Sequence, residues 1–289
     1  MGYLLLAILL STAILIAFKI FERLHIHITQ AIVTNYLVAA LFGFFISDHV
    51  TITSIKQSSW FNLAIASGIM LIITFYIFAI SAQKAGIAIT SVSGKMSVVI
   101  PICIGIFFYK EHVNFIKIIG ITCAIFAFFL TFYKNRTENI SAKKNLFILL
   151  PLLLFLGNGI NDSLLKHAEK FYIENNLTLF LSSAFLISFM IGICILFFSV
   201  FIKKIKIQFK NIIAGTILGL LNWGSTLYFL KSLRIFENMI VFPVFNVSVV
   251  ALSSLLGYFV FKENLSKTNW VGILLAISSI ILITFSIPN

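Results

Sequence analysis

Carboxylates are scarce in this chain: nine Asp and Glu stand among 289 residues, and charged residues of both signs make up only 10%. A soluble domain of this length draws about a quarter of its residues from Asp, Glu, Lys and Arg, so that class is excluded. Proline is rare too, with four residues, which leaves long stretches free of the strongest helix breaker. The three cysteines, Cys103, Cys123 and Cys194, all lie inside apolar runs. An odd number set in hydrocarbon is no disulfide framework and gives no thiolate metal spacing. The runs also lack the polar–apolar alternation of a membrane β-barrel.

What the chain has in abundance is hydrocarbon. Hydrophobic residues reach 60%, with thirty-two Phe, and the mean hydropathy is +1.09. Ten runs are long enough to span a bilayer: about 2–18, 29–46, 60–80, 86–108, 115–133, 146–164, 177–201, 211–230, 239–260 and 270–287. They predict an all-α integral membrane protein of ten transmembrane helices. The first run has no basic residues before it and no small-residue cleavage site, so it reads as a retained helix. The net charge of +12 comes from lysines in short loops between runs. That placement fits anionic lipid headgroups and gives no reason to expect nucleic acid.

One run carries a charge near its middle. From Gly86 to Phe108 the only ionisable cation or anion is Lys95. A charge at that depth costs at least about 2.5 kcal/mol on insertion scales, and intramembrane ionisable groups default to function. The bland alternative is a lysine locked to a fixed partner to hold the bundle together. Ser91 lies four residues before it, on the same helical face. Pro101 has no N–H and is expected to leave the carbonyl of Ser97 without its helical donor.

The chain divides at KNRTENISAKK (134–144), a polar linker between residues 1–133 and 145–289. The halves read as repeats. Tyr109-Lys110-Glu111 ends the fourth run and Phe261-Lys262-Glu263 the ninth; a glycine precedes each Lys by five (Gly105, Gly257) and another follows each Glu by nine (Gly120, Gly272). Five helices per repeat is an odd number, so the second half is expected to be inverted in the membrane. Inverted repeats are characteristic of alternating-access transporters with a midplane site.

With Ala82–Lys84, the Pro101 helix, the two Lys-Glu endings and their glycines, the sequence resembles ten-helix members of the drug/metabolite transporter superfamily that carry two EamA-type domains. The resemblance runs over roughly 2–133 and 146–287. It implies an exporter or permease of amino acids, nucleobases, sugars, sugar phosphates or drugs. It also implies a central cavity lined mainly by helices one, three, four, six, eight and nine. Many members have an arginine early in the second helix, where this chain has Asn35. The resemblance implies both termini in the cytoplasm. Loop charges argue the opposite, because that orientation puts thirteen Lys and Arg outside and seven inside.

Polar residues within the runs are the site candidates. Asn222, Thr226 and Tyr228 share the eighth run, with Ser225 beside them; Asn246 in the ninth lies near the repeat-equivalent depth of Lys95. Asn158 and Asp162 are four apart in the sixth, and Asp162 is four before Lys166. Asp162 reads either as an interfacial partner of Lys166, or as a proton-coupling carboxylate or counter-ion of Lys95. Thr12, Thr74 and Tyr76 are further lining candidates. Glu111 and Glu263 precede helices five and ten, where a carboxylate suits the N-terminus that follows; gating salt bridges are the alternative. His25 and His27 have no third ligand nearby, so no metal and no cofactor is expected.

The reading is a secondary transporter of a small polar metabolite in a bacterial inner membrane, monomer or homodimer, with protons as a potential second cargo. Lys95 with Ser91, Asn158, Asn222, Thr226, Tyr228 and Asn246 forms the expected substrate site. An amino acid or related carboxylate is favoured, since a phosphate group usually meets more than one cation. The rivals are an integral membrane lipid-modifying enzyme and a non-transporting scaffold. The enzyme would need a catalytic cluster, whereas His25, His27, His49, His112 and His167 are scattered without a carboxylate at catalytic spacing.

Overall fold

A computed structural model describes residues 2–47, 55, 58–109, 114–132, 142–172, 177–202, 204–233 and 238–285. Its elements are helices: α1 (Gly2–Arg23), α2 (Ile28–Ile46), α3 (Phe61–Lys84), α4 (Ile87–Met96), α5 (Val99–Tyr109), α6 (Phe115–Phe132), α7 (Ala142–Phe171), α8 (Leu177–Phe201), α9 (Phe209–Leu233), α10 (Asn238–Phe259) and α11 (Lys267–Phe285). Helices α4 and α5 are two pieces of one span, so the ten apolar runs become ten helical passes. Six helical stretches are long and apolar enough to cross a bilayer, and four shorter apolar ones complete the set among the described residues. The protein is an integral membrane protein.

The fourth span breaks at Ser97–Val98 rather than at its proline. Pro101 falls in the first turn of α5, where its missing N–H costs little. The carbonyl of Ser97 does find a donor, contrary to the sequence expectation: the amide of Ile100 reaches it at 2.9 Å in a tighter turn.

The bundle has a basic end, where α1, α3, α8 and α10 finish and α2, α4, α9 and α11 begin. Arg23, Lys84, Lys204, Lys206, Lys210, Lys262 and Lys267 are all exposed there. Cross-links at this end tie the helices together. Lys19 Nζ donates to the carbonyl of Gln83 at 2.8 Å, and Asn211 Nδ2 donates to Gln30 Oε1 at 2.7 Å.

Among the described residues the buried apolar side chains form three clusters, two of them large. One centres on Leu15, Phe18, Ile32, Tyr36 and Leu218 from α1, α2 and α9. The other joins Val92 and Met96 of α4 to Ala124, Val250, Ile273 and Ala276 of α6, α10 and α11. Small residues let these helices touch, as lipid solvation demands of membrane bundles. Ser279 Oγ donates to the carbonyl of Gly120 across α11 and α6 at 2.8 Å. A Cβ on Gly219 of α9 would lie 2.9 Å from the carbonyl of Asn35 on α2. The contacts between halves are reciprocal. Helix α2 packs on α8, α4 on α10, and α6 on α11, while α1 packs on α9 and α3 on α7.

Candidate functional site

Helix α4 carries the central candidate, Lys95, and packs against α10. Three contacts run along one face of α4, at Ile87, Ser91 and Lys95, four residues apart and therefore stacked one turn above another. At the top, Glu263 Oε1 accepts from the amide of Ile87 at 2.7 Å and Oε2 from that of Ala88 at 3.3 Å. In the middle, Ser253 Oγ donates to Ser91 Oγ at 2.6 Å. Below, Lys95 Nζ stands 4.4 Å from the centroid of the Phe245 ring, a cation–π contact.

Glu263 therefore serves a helix other than the one it precedes. Helix α11 is capped by its own Ser266, whose Oγ accepts from the Asn269 amide at 3.2 Å while Asn269 Oδ1 accepts from the Ser266 amide at 2.8 Å. This reciprocal box frees the carboxylate for the distant end of α4. Gly86, at φ +99°, turns the chain into α4 in a conformation that suits only glycine. Burial raises the carboxyl of Glu263 above its ordinary range, more than the two amides and Lys19 lower it. Glu111 lies outside the described residues, as do linker residues 134–141.

Lys95 opens into a cavity of about 190 Å³ with Ser11, Thr74, Ser91, Gly94 and Asn158 on its wall. Eight residues separate Lys95 from Ile87, so it lies about 12 Å into the span. The ring of Phe245 satisfies one side of its ammonium. Among the described residues no oxygen lies within hydrogen-bond or ion-pair distance of Nζ, whereas Lys19 and Lys84 both pair with Glu22. Asp162 is near enough to act on Lys95 through its charge, but it forms no ion pair with it. It is exposed, and its Oδ2 accepts a long contact from Ser97 Oγ at 3.5 Å. The ammonium is thus half-buried, faces a cavity and has no oxygen acceptor among the described residues.

A second cavity, of about 260 Å³, adjoins the first. Leu71 and Phe75 of α3 line both. Asn222 and Thr226 are on its wall. Asn222 Nδ2 donates to Asn35 Oδ1 at 3.3 Å, which ties the fully buried Asn35 of α2 to α9. Thr226 Oγ1 donates to the carbonyl of Asn222 at 3.0 Å. Thr74 likewise bonds its own backbone, at Met70.

The sequence candidates thus separate into groups. Lys95, Ser91 and Asn158 share the first cavity, and Asn222 and Thr226 share the second. Tyr228 and Asn246 line neither. Tyr228 stacks on Tyr3 at 6.0 Å, and Asn246 is half-buried on α10. Thr12 donates to Ile8, and Tyr76 pairs with Thr29. Sequence reasoning missed Phe245, Ser253, Leu71 and Phe75. Nothing in an apolar run marks which phenylalanine will face a lysine, because lipid-facing and cavity-facing positions use the same residue types.

Comparison with known proteins agrees with this architecture. A family model described as the EamA-like transporter family matches residues 1–133. A Haemophilus influenzae protein described as uncharacterized is 31% identical over 292 residues, covering 97% of this chain and 96% of its own length. A solved crystal structure superposes with a TM-score of 0.62 over 98% of this chain and 95% of that one. Its identity of 11% makes it a likeness of fold alone. The chain belongs to the EamA-like transporter family, within the drug/metabolite transporter superfamily.

Proposed function

We propose that the protein is an alternating-access secondary transporter that moves a small carboxylate, an amino acid or a related acid, across a bacterial inner membrane. The observation that carries this is the Lys95 ammonium, which faces a cavity, lies over the Phe245 ring and, among the described residues, has no oxygen acceptor within hydrogen-bond distance. A substrate carboxylate supplies the missing acceptor, while Ser91 and Asn158 stand on the same wall to orient it. The reciprocal packing of the halves, α2 on α8, α4 on α10 and α6 on α11, supports two inverted repeats related by a pseudo-two-fold axis. Asp162, beside Lys95, is the coupling group in this reading.

Reconstituted into liposomes, the protein should exchange a radiolabelled small carboxylate with unlabelled acid on the other side. A panel of amino and organic acids that gives no counterflow above empty liposomes would overturn the reading. Ten passes put both termini on one side of the membrane, so reporter fusions at residues 1 and 289 should agree. Fusions that report opposite sides would refute the ten-pass architecture.

A further inference from the structure

We infer that the substrate is a carboxylate whose other end is a ring-sized apolar group bearing an N–H or O–H at its edge. This rests on the reading of Lys95 as the carboxylate's partner. The cavities differ in chemistry. The first offers the ammonium together with Asn158 and the hydroxyls of Ser11, Thr74 and Ser91, set among apolar side chains. The second is walled chiefly by apolar side chains, five of them rings: Tyr36, Phe75, Phe180, Phe185 and Phe229.

These rings are fixed by their neighbours. The Tyr36 centroid is 5.7 Å from that of Phe75 and 6.0 Å from that of Phe185, and Phe180 meets Trp60 edge-on at 5.8 Å. The Tyr36 hydroxyl already donates to the carbonyl of Leu71 at 2.8 Å. A flat apolar group fits such a wall by offset or edge-on contact.

Two polar atoms on the same wall are unpaired. Ser67 Oγ and Asn161 Oδ1 are buried without a hydrogen-bond partner, and Ser67 is only 3% exposed. Buried polar atoms are nearly always satisfied, so an orphaned acceptor on a cavity wall points to an occupant that brings the donor. A plain aliphatic tail leaves both atoms unpaired. A sugar has the reverse mismatch, because few free polar groups are there to meet its hydroxyls. Leu71 and Phe75, one turn apart, border both cavities. A molecule with its carboxylate at Lys95 and its ring beyond Phe75 uses both.

Four probes separate the parts of this inference in the purified full-length protein: indole-3-propionate, 3-phenylpropionate, butyrate and indole. Binding measured by titration calorimetry is expected to weaken in that order for the three acids, so the dissociation constants rise from indole-3-propionate to butyrate. The step from butyrate to 3-phenylpropionate should be about tenfold or more from ring burial. The step to indole-3-propionate should be about tenfold again, from the donor that meets Asn161. In Asn161→Leu the second step should shrink to near unity while the first survives; Ser67→Ala serves as a second probe if that variant does not fold. Lys95→Met should weaken all three acids and leave indole unchanged. Equal binding of the acids, all lost in Lys95→Met, would overturn the ring inference and leave the carboxylate reading standing. Indole binding as tightly as indole-3-propionate, with no effect of Lys95→Met, would overturn the carboxylate reading and this inference with it. No binding of any acid overturns both.

Discussion

Lys95→Met is expected to abolish carboxylate transport while leaving a folded protein. Methionine keeps the length and the unbranched shape of the side chain, so the packing of α4 against α10 survives. The contact with Phe245, 4.4 Å from the ring centroid, changes from cation–π to sulfur–aromatic, two interactions of similar size at about 0.5–1.5 kcal/mol. Removing the charge also relieves its insertion cost of at least about 2.5 kcal/mol. Thermal stability should therefore stay level or rise. Binding should move the other way, because a hydrogen bond to a charged group contributes about 1.5–3 kcal/mol, or about ten- to a hundredfold in affinity. Carboxylate counterflow and ligand-induced stabilisation, measured on wild type and variant side by side, test both halves of this expectation. Undiminished transport by the variant would remove Lys95 from the site. A variant that fails to fold would make Lys95 a structural residue, locked to the bundle.

Much of the fold is legible in the sequence, and the reasons show where legibility stops. Each apolar run becomes a pass because backbone groups in lipid must bond within their own segment. Lys95 stands out because its cost in lipid is high whatever surrounds it. What a run does not disclose is which face is turned inward. Phe18 is fully buried and Phe45 is 89% exposed, yet both belong to continuous apolar stretches and both are well solvated, one by protein and one by lipid. The second cavity, built from Phe180, Phe185 and Phe229, is hidden for that reason. Partners distant along the chain are hidden for another. Asn35 and Asn222 read as isolated amides until α2 and α9 bring them to 3.3 Å. Helix-dipole reasoning is local, so it assigns Glu263 to the helix that follows, with a gating salt bridge as the alternative. The Ser266–Asn269 box took that place, and the carboxylate crossed to the other half of the chain.

That crossing sets up the second large effect. Glu263→Ala is expected to free the basic end of α4, at a stability cost of about 1–2 kcal/mol for a lost charged cap. The glycines around the carboxylate allow a test that does not depend on deleting it. A Cβ on Gly257 would lie 2.6 Å from Glu263 Oε2, and one on Gly86 2.8 Å from the same carboxylate. Gly257→Ala should therefore expel the carboxylate and reproduce the Glu263→Ala phenotype with the glutamate still present. In a Glu263→Ala background the same Gly257→Ala change should add little, a non-additivity that marks one shared interaction. Additive costs would show that the glycine serves helix packing alone. Opening of the cap can be read by labelling a cysteine placed at buried Ala88, relative to one at exposed Lys262, after Cys103, Cys123 and Cys194 are replaced. The pH dependence has a definite sign. Burial holds the Glu263 carboxyl above its ordinary range in the closed cap, so the closed form binds the proton more tightly than an open, hydrated one. Its added stability is complete below the ordinary carboxylate value and is lost as pH rises through the raised one. Relative labelling at position 88 should accordingly increase as pH rises through that window in the wild type. In Glu263→Gln it should be flat, because an amide has no proton to lose there; an identical pH profile in that variant would assign the titration to another group.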